Sequence, residues 1–208
     1  MSQSSRRHQV QGDAGAIEVL EDAPSAPRGV AVIAHPHPLF GGTMDNKVVQ
    51  TVARAFVLAG WRAVRFNFRG VGASAGMHDH GVGELQDFLR VVAACAPHGP
   101  LALSGFSFGA FVASAALAQL HGTRDIAHVV LVGTAASRFP VAAVPASLHA
   151  RTLVVHGEQD DTVPLNDVFD WARPQSLPVT VLPGCSHFFH GQLPLLRSLV
   201  GRHIGAAS

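Results

Sequence analysis

The sequence predicts an α/β protein, a mainly parallel sheet with helices on both faces, built as one domain over residues 15–208. Three observations carry this. Short apolar runs alternate along the chain with segments of helical periodicity. Several runs, 29–34 and 127–132 among them, are apolar at nearly every position, the pattern of parallel strands covered on both faces. In the middle of the chain, Leu101-Ala102-Leu103 breaks into Gly105-Phe106-Ser107-Phe108-Gly109 and passes at once into an Ala-rich segment, 110–120. That is a strand, a tight turn with serine at its apex, and a helix.

Taken in order, residues 1–14 are polar and read as a flexible N-terminal tail. Residues 16–20 form an opening strand, closed by Pro24 and Pro27. The strand at 29–34 ends in His35-Pro36-His37-Pro38-Leu39-Phe40-Gly41-Gly42, where prolines and glycines forbid regular structure. Asp45 or Asn46 caps the next helix, 48–58, and Gly60 ends it. Residues 61–68 are a strand, and 83–95 a helix with Leu85, Phe88, Leu89 and Val92 at helical spacing. Strands at 127–132, 152–156 and 179–182 follow, and 193–203 closes the chain as a helix. In such sheets ligands bind beyond the carboxyl ends of the strands, so the loops after Ala34, Phe68, Leu103, Val132, His156 and Leu182 share the rim where a site belongs.

Composition narrows the function classes. With 208 residues, 48% hydrophobic and 14% charged, the chain has the makings of a globular domain with one sizeable core. Fifteen Lys+Arg against fourteen Asp+Glu leave a net charge of +1, which gives no electrostatic reason to expect nucleic acid or an anionic membrane as partner. Cys95 and Cys185 make no Cys-x-x-Cys pair and no disulfide framework, which fits a reducing compartment. No apolar stretch follows the N-terminal arginines, and no run approaches the ~18 residues of a membrane span. A soluble cytoplasmic protein is expected, with its oligomeric state left open.

The Ser107 turn carries the chemistry. The glycines on either side let strand and helix approach closely, and the turn lifts the hydroxyl above the sheet edge. It also aims the Phe108 N–H, at a helix N-terminus, at the place where an oxyanion would form. A serine nucleophile needs a base and an acid, and two rim loops offer them: His156-Gly157-Glu158-Gln159-Asp160-Asp161-Thr162-Val163-Pro164, and Pro183-Gly184-Cys185-Ser186-His187-Phe188-Phe189-His190.

Five blocks in this order, HPHPLFGGTMDNKVV, RFNFRGVGASAG, GFSFGA, HGEQDDTVPL and GCSHFFHG, are similar to a bacterial family of small, lidless serine α/β-hydrolases. The resemblance runs from about residue 15 to the end. It implies the α/β-hydrolase fold, with Ser107 as nucleophile and His187 as general base. The superfamily's Gly-x-x-Asp-x-x-Val-Pro pattern fits Gly157, Asp160, Val163 and Pro164, which implies Asp160 as the acid and leaves Asp161 a solvated neighbour. The glycine turn just after the strand favours His187 over His190, which reads as a capping or rim residue. One oxyanion donor is the Phe108 N–H. The second belongs to the His35-Pro36-His37-Pro38 loop; prolines have no N–H, so His37 is the first choice and Leu39 the second.

Phe40, Phe106, Phe108, Val163 and Phe188 are the expected apolar wall for substrate. Residues 133–151, where relatives insert a helical lid, are too few for one, so an open, shallow pocket suited to short acyl esters is expected. No cofactor and no metal are called for. His35 and His37 have metal-ligand spacing but no matching third and fourth ligand, and Cys185 has no base of its own. The expected function is a carboxylesterase acting on a small acyl ester. A peptidase or amidase with the same triad, and a binding module with idle machinery, remain as alternatives.

Overall fold

The structure, a computed structural model, describes residues 3–205. Its strands are β1 (Gln3–Gly12), β2 (Gly15–Pro24), β3 (Val30–Ala34), β4 (Arg62–Phe66), β5 (Leu101–Phe106), β6 (Ile126–Val132), β7 (Thr152–Gly157) and β8 (Val179–Leu182). Its helices are α1 (Lys47–Leu58), α2 (Val82–Cys95), α3 (Phe108–Leu120), α4 (Leu165–Ala172) and α5 (Leu193–Gly205). The strands form one sheet in the order β1-β2-β4-β3-β5-β6-β7-β8. From β4 through β8 every neighbouring pair is parallel, while β2 lies antiparallel to both β1 and β4.

Side-chain alternation divides the core into two layers. Val30, Val32 and Ala34 of β3 face one side with Leu101, Leu103, Val129 and Leu131, where α2, α3 and α4 cover them. Ala31 and Ile33 face the other with Ala102, Phe106, Val130 and Val155, beneath α1 and α5. Helix α3 is buried all round from Phe108 through Ser114 and is exposed only toward its end, at Ala118 and Gln119. Asn46, one of the two proposed caps, accepts the Val48 N–H at 2.9 Å. Among the described residues no helix is long and apolar enough to cross a membrane.

The expected flexible tail is corrected here. Residues 3–12 are strand β1, paired along its whole length with β2; residues 1 and 2 lie outside the described residues. Asp13 and Ala14 form a two-residue hairpin turn between Gly12 and Gly15. The strand is held by backbone pairing and cross-strand polar pairs rather than apolar burial: Arg7 meets Glu18, Ser5 donates to Asp22 at 2.7 Å, and His8 Nε2 meets Glu21 at 2.9 Å. Helix α4 is also additional to the sequence reading. It follows Pro164 and buries only Val168 and Ala172.

Between β6 and β7 there is no lid. The only helical piece in this connection is the 3₁₀ turn Ala146–Arg151.

Two buried histidines link the fold to pH. The His35 ring bridges two rim loops: Nε2 accepts the Phe68 N–H at 3.0 Å, and Nδ1–H donates to the Pro36 carbonyl at 2.6 Å. Burial pushes its pKa down to about 4, against the opposing pull of the Pro36 carbonyl and the Glu84 charge. Burial likewise takes His128, packed against Trp61 and His203, down to about 4. The unfolded chain therefore binds protons that the folded chain refuses between the ordinary value of 6.5 and about 4. The stability from keeping these rings neutral is fully present above that window and is lost as pH falls through it. Urea unfolding at about pH 7, 6 and 5 should show decreasing stability, by up to about 1.4 kcal/mol per pH unit for each such histidine. In His128→Gln the slope should shrink by up to one proton; an unchanged slope counts against this assignment.

Candidate active site

Ser107 sits on the turn between β5 and α3 with φ 57° and ψ −116°, a left-handed conformation unusual for a side-chain-bearing residue. The surroundings hold it there. Its N–H donates to the Val132 carbonyl at 2.8 Å, and its carbonyl accepts the Ala110 N–H at 3.0 Å. A Cβ on Gly105 would lie 2.1 Å from the Gly109 carbonyl oxygen, and one on Gly109 would lie 2.5 Å from the carbonyl oxygens of Ala34 and His35. The turn is therefore possible only with glycine on both sides, which lets α3 begin against the end of β3.

The loops after β7 and β8 bring the partners. His187 Nε2 lies 3.0 Å from Ser107 Oγ, and His187 Nδ1 lies 2.6 Å from Asp160 Oδ2. Asp160 is anchored by its other oxygen, Oδ1, which accepts the N–H groups of Thr162 at 3.0 Å and Val163 at 2.7 Å. Asp161 is exposed, and its carboxylate meets only the neighbouring Thr162 hydroxyl. Two backbone bonds tie the acid loop to the histidine loop: Glu158 N–H to Leu182 O at 3.0 Å and Gln159 N–H to Cys185 O at 2.9 Å. His190 is exposed, at the rim, with its ring near Phe188.

A second buried histidine, not singled out from the sequence, supports the acid. His156 Nε2 lies 2.9 Å from the Val163 carbonyl, to which it donates, and 3.4 Å from Asp160 Oδ2. Burial lowers its pKa, which keeps the ring neutral and suited to donating through Nε2. Its position as the next-to-last residue of a buried strand, four before Asp160, was the available signal.

The oxyanion candidates are separated by their own hydrogen bonds. The Leu39 N–H is taken by His37 Nδ1 at 3.2 Å. Neither His37 N–H nor Phe108 N–H bonds to another described residue. His37 thus offers its backbone donor where Leu39 does not. Its side chain, accepting from Leu39, stabilises the turn that presents that donor.

A cleft of about 410 Å³ opens on this group. Phe40, Phe108, Val163 and Phe188 line it, with Phe40 82% and Phe188 45% exposed at its mouth. Phe106 does not. As the last residue of β5 it points to the α1/α5 face and lies under the His187 ring, centroids 4.9 Å apart. The wall is completed by Ala135, Arg138, Phe139 and Thr162, none of which was expected. Ala135, Arg138 and Phe139 lie in a segment with no periodicity from which a facing could be read, and Thr162 sits beside Val163 in the loop after β7.

The other reactive groups have structural partners. His35 spends both ring nitrogens on loop carbonyl and amide groups, so it does not join His37 as a ligand pair. Cys185 is buried and its thiol pKa is raised, chiefly by burial, which disfavours the thiolate. Among the described residues three ligand atoms converge only at His8, Glu21 and Cys95, within 4.8 Å of one another. There Arg62 and Arg6 already pair with Glu21, and burial pushes the Cys95 thiol up to about 12.

With fold and geometry in place, residues 39–149 match the sequence pattern of the family described as alpha/beta hydrolase fold, and the chain belongs to that family. Particular relatives narrow the likeness. A structure from Xanthomonas campestris, described as an α/β serine hydrolase without a lid, is 35% identical, with a TM-score of 0.86 over 97% of this chain and 94% of that one. A serine hydrolase homologue from Coxiella burnetii is 38% identical, with a TM-score of 0.79 over 95% and 96%. An uncharacterised protein of Rickettsia prowazekii is 33% identical over 80% of this chain and 74% of its own length. Est1E of Butyrivibrio proteoclasticus, solved with ferulic acid bound, has a TM-score of 0.81 at 16% identity, a likeness of fold alone.

The close approach at the serine turn makes a direct prediction. Gly109→Ala should force α3 away from β3 and lower stability by about 1–3 kcal/mol. Gly201→Ala on α5, where an added Cβ meets nothing within 4 Å, should raise it by up to about 1 kcal/mol. Thermal unfolding of both variants checks the contrast, and equal shifts would show that the turn yields.

Proposed function

We propose that this protein is a serine hydrolase, acting as a carboxylesterase on short acyl esters through Ser107, His187 and Asp160. The observation that carries the reading is the unbroken hydrogen-bonded chain from Ser107 Oγ through both nitrogens of His187 to Asp160. A serine hydroxyl is a weak nucleophile near neutral pH, and a hydrogen-bonded imidazole removes its proton as it attacks. Ser107 Oγ bonds to the ester carbon while its proton passes to His187 Nε2. The carbonyl oxygen becomes an oxyanion facing the N–H groups of Phe108 and His37. Collapse breaks the bond to the alcohol, which leaves with the proton from Nε2. Water then attacks the acyl-serine, gives its proton to Nε2, and the same steps in reverse order release the acid. Asp160 keeps the Nδ1 proton in place and stabilises the imidazolium.

The short-acyl preference rests on the open cleft. A connection holding one 3₁₀ turn does not roof a long apolar tunnel. Wild-type kcat/KM on p-nitrophenyl esters should be highest between acetate and butyrate. Ser107→Ala should lose at least ~10⁴-fold in kcat and all labelling by a fluorophosphonate probe, with its fold unchanged. Turnover at the wild-type rate in that variant would end the reading, and faster turnover of long chains or of amides would redirect it.

Asp160 and Asp161 should separate sharply although adjacent and alike. Asp160→Asn removes the acceptor for the Nδ1 proton and should cost on the order of 10⁴ in kcat, as in the serine-protease template. Asp161→Asn, at an exposed carboxylate, should change stability by no more than about 0.5 kcal/mol and leave turnover intact. Measurement of both on one ester decides between them.

A further inference from the structure

Among the described residues, Arg138 is the only ionisable one besides histidines that lines the cleft containing Ser107. Its guanidinium forms no hydrogen bond or ion pair with any described residue. That is unlike Arg65 and Arg69, which are held by Asp22 and Asp87, respectively. Its backbone is not loose. Arg138 N–H and Phe139 N–H both bond to the Ala135 carbonyl at 3.2 Å, and the Phe139 ring stacks on Phe111 at 4.9 Å. A cation on a pinned turn, facing a largely apolar cleft with no carboxylate among its lining residues, has no partner of its own.

The cleft has two distinguishable walls. His187 packs with Phe106 and Phe188, and Val163 lies beside its acid. The alcohol must leave on this side, because His187 Nε2 supplies its proton. His37 packs with Phe40, Phe108 and Phe139, at centroid distances of 4.7, 5.0 and 6.0 Å. Arg138 belongs to this second wall, next to Phe139 in the chain. Its charge also reaches His37, whose pKa is lowered by burial first, then by His78, with Arg138 acting in the same direction. With the alcohol leaving past His187, the wall left for the acyl group is the one that holds Arg138.

Resting on the esterase reading, we propose that the preferred substrates are monoesters of short dicarboxylic acids, with Arg138 binding the free carboxylate at the end of the acyl chain. A guanidinium matches a carboxylate in a two-point geometry that a lysine or a neutral donor does not reproduce. The surrounding aromatic wall takes the methylenes between the two ends. No step of the chemistry changes; Arg138 selects the acyl group and orients it.

The test uses mono-p-nitrophenyl esters of succinic, glutaric and adipic acids, each compared with its terminal carboxamide, which has the same shape and no charge. Uncatalysed hydrolysis is subtracted. Wild type should favour the carboxylate at one chain length or more by roughly five- to tenfold in kcat/KM, the range of a partly exposed ion pair with good geometry. High salt should shrink that ratio. Arg138→Gln should bring it to about one, Arg138→Lys should retain part of it, and Arg138→Glu should invert it. A ratio equal in wild type and Arg138→Gln, or a carboxamide preference throughout, overturns the proposal while leaving the esterase reading standing. A carboxylate preference seen only on the alcohol side, with 4-butyryloxybenzoate against 4-butyryloxybenzamide, overturns the acyl assignment. If wild type hydrolyses none of these esters, the esterase reading itself fails and this proposal falls with it.

Discussion

The left-handed turn at Ser107 is the constraint on which the other parts of the site depend. A side-chain-bearing residue at φ 57° carries strain, and such strain persists only where its neighbours over-determine the backbone. Here they do so in three directions. The Val132 carbonyl holds the Ser107 N–H, the carbonyls of Ala34 and His35 leave no room for a side chain at Gly109, and α3 beyond is buried through Ser114. The all-round apolar character of α3 follows from this. A helix starting at a sheet's carboxyl edge in contact with the neighbouring strand has no side left for solvent in its first turns, and α3 is exposed only at Ala118 and Gln119. The N–H of Phe108 then emerges beside Ser107, so the serine hydroxyl and the free amide next to it are products of one backbone geometry.

Around that turn the loops are held by neutral histidines. His35 joins the end of β3 to the loop after β4, and His156 joins the acid loop to its own strand. In both, burial opposes protonation, so each ring keeps one donor and one acceptor, whereas an imidazolium would have two donors. His35 needs that acceptor for the Phe68 N–H. Beyond it Arg69 grips Asp87 of α2, with Nη2 2.9 Å from Oδ1, so the glycine-rich loop after β4 is tied down at both its strand and its helix. His35, Arg69 and His156, each within a motif block, thus hold loops in place.

What was legible in the sequence follows from the same physics. The parallel strands are covered on both faces, so they appear as continuous apolar runs, and even the four-residue, half-buried β8 lies between clear turn signals. Ser107, Asp160 and His187 could be singled out because each sits just past a strand in a loop of glycine, proline or short polar residues. Strand β1 was not readable. It is an outer hairpin strand whose residues are mostly solvent-facing, so its composition is that of a tail, and only the Gly12-Asp13-Ala14-Gly15 turn hinted at pairing. Phe106 was misplaced because adjacency to Ser107 outweighed the strand period, which puts it with Ala102 on the α1/α5 face. Arg138 and Phe139 lay in a stretch without period or motif, where only tertiary packing decides what faces the cleft.

The missing lid bears on how the reacting groups are kept from water. In many enzymes closure over the substrate expels solvent and strengthens the electrostatics inside. Here the burial is already present: His187 is 2% exposed, Asp160 6% and Ser107 8%, with the cleft open. The screening comes from fixed parts, since Phe106 lies under the imidazole, Phe188 packs edge-on beside it, and Asp160 is wrapped by the amides of its own loop. His187 and Asp160 are therefore buried although the cleft is open, and Ser107 also lines that cleft. Ser107, His187 and Asp160 are already hydrogen-bonded to one another in the open cleft, and what else the cleft offers is set by its standing walls.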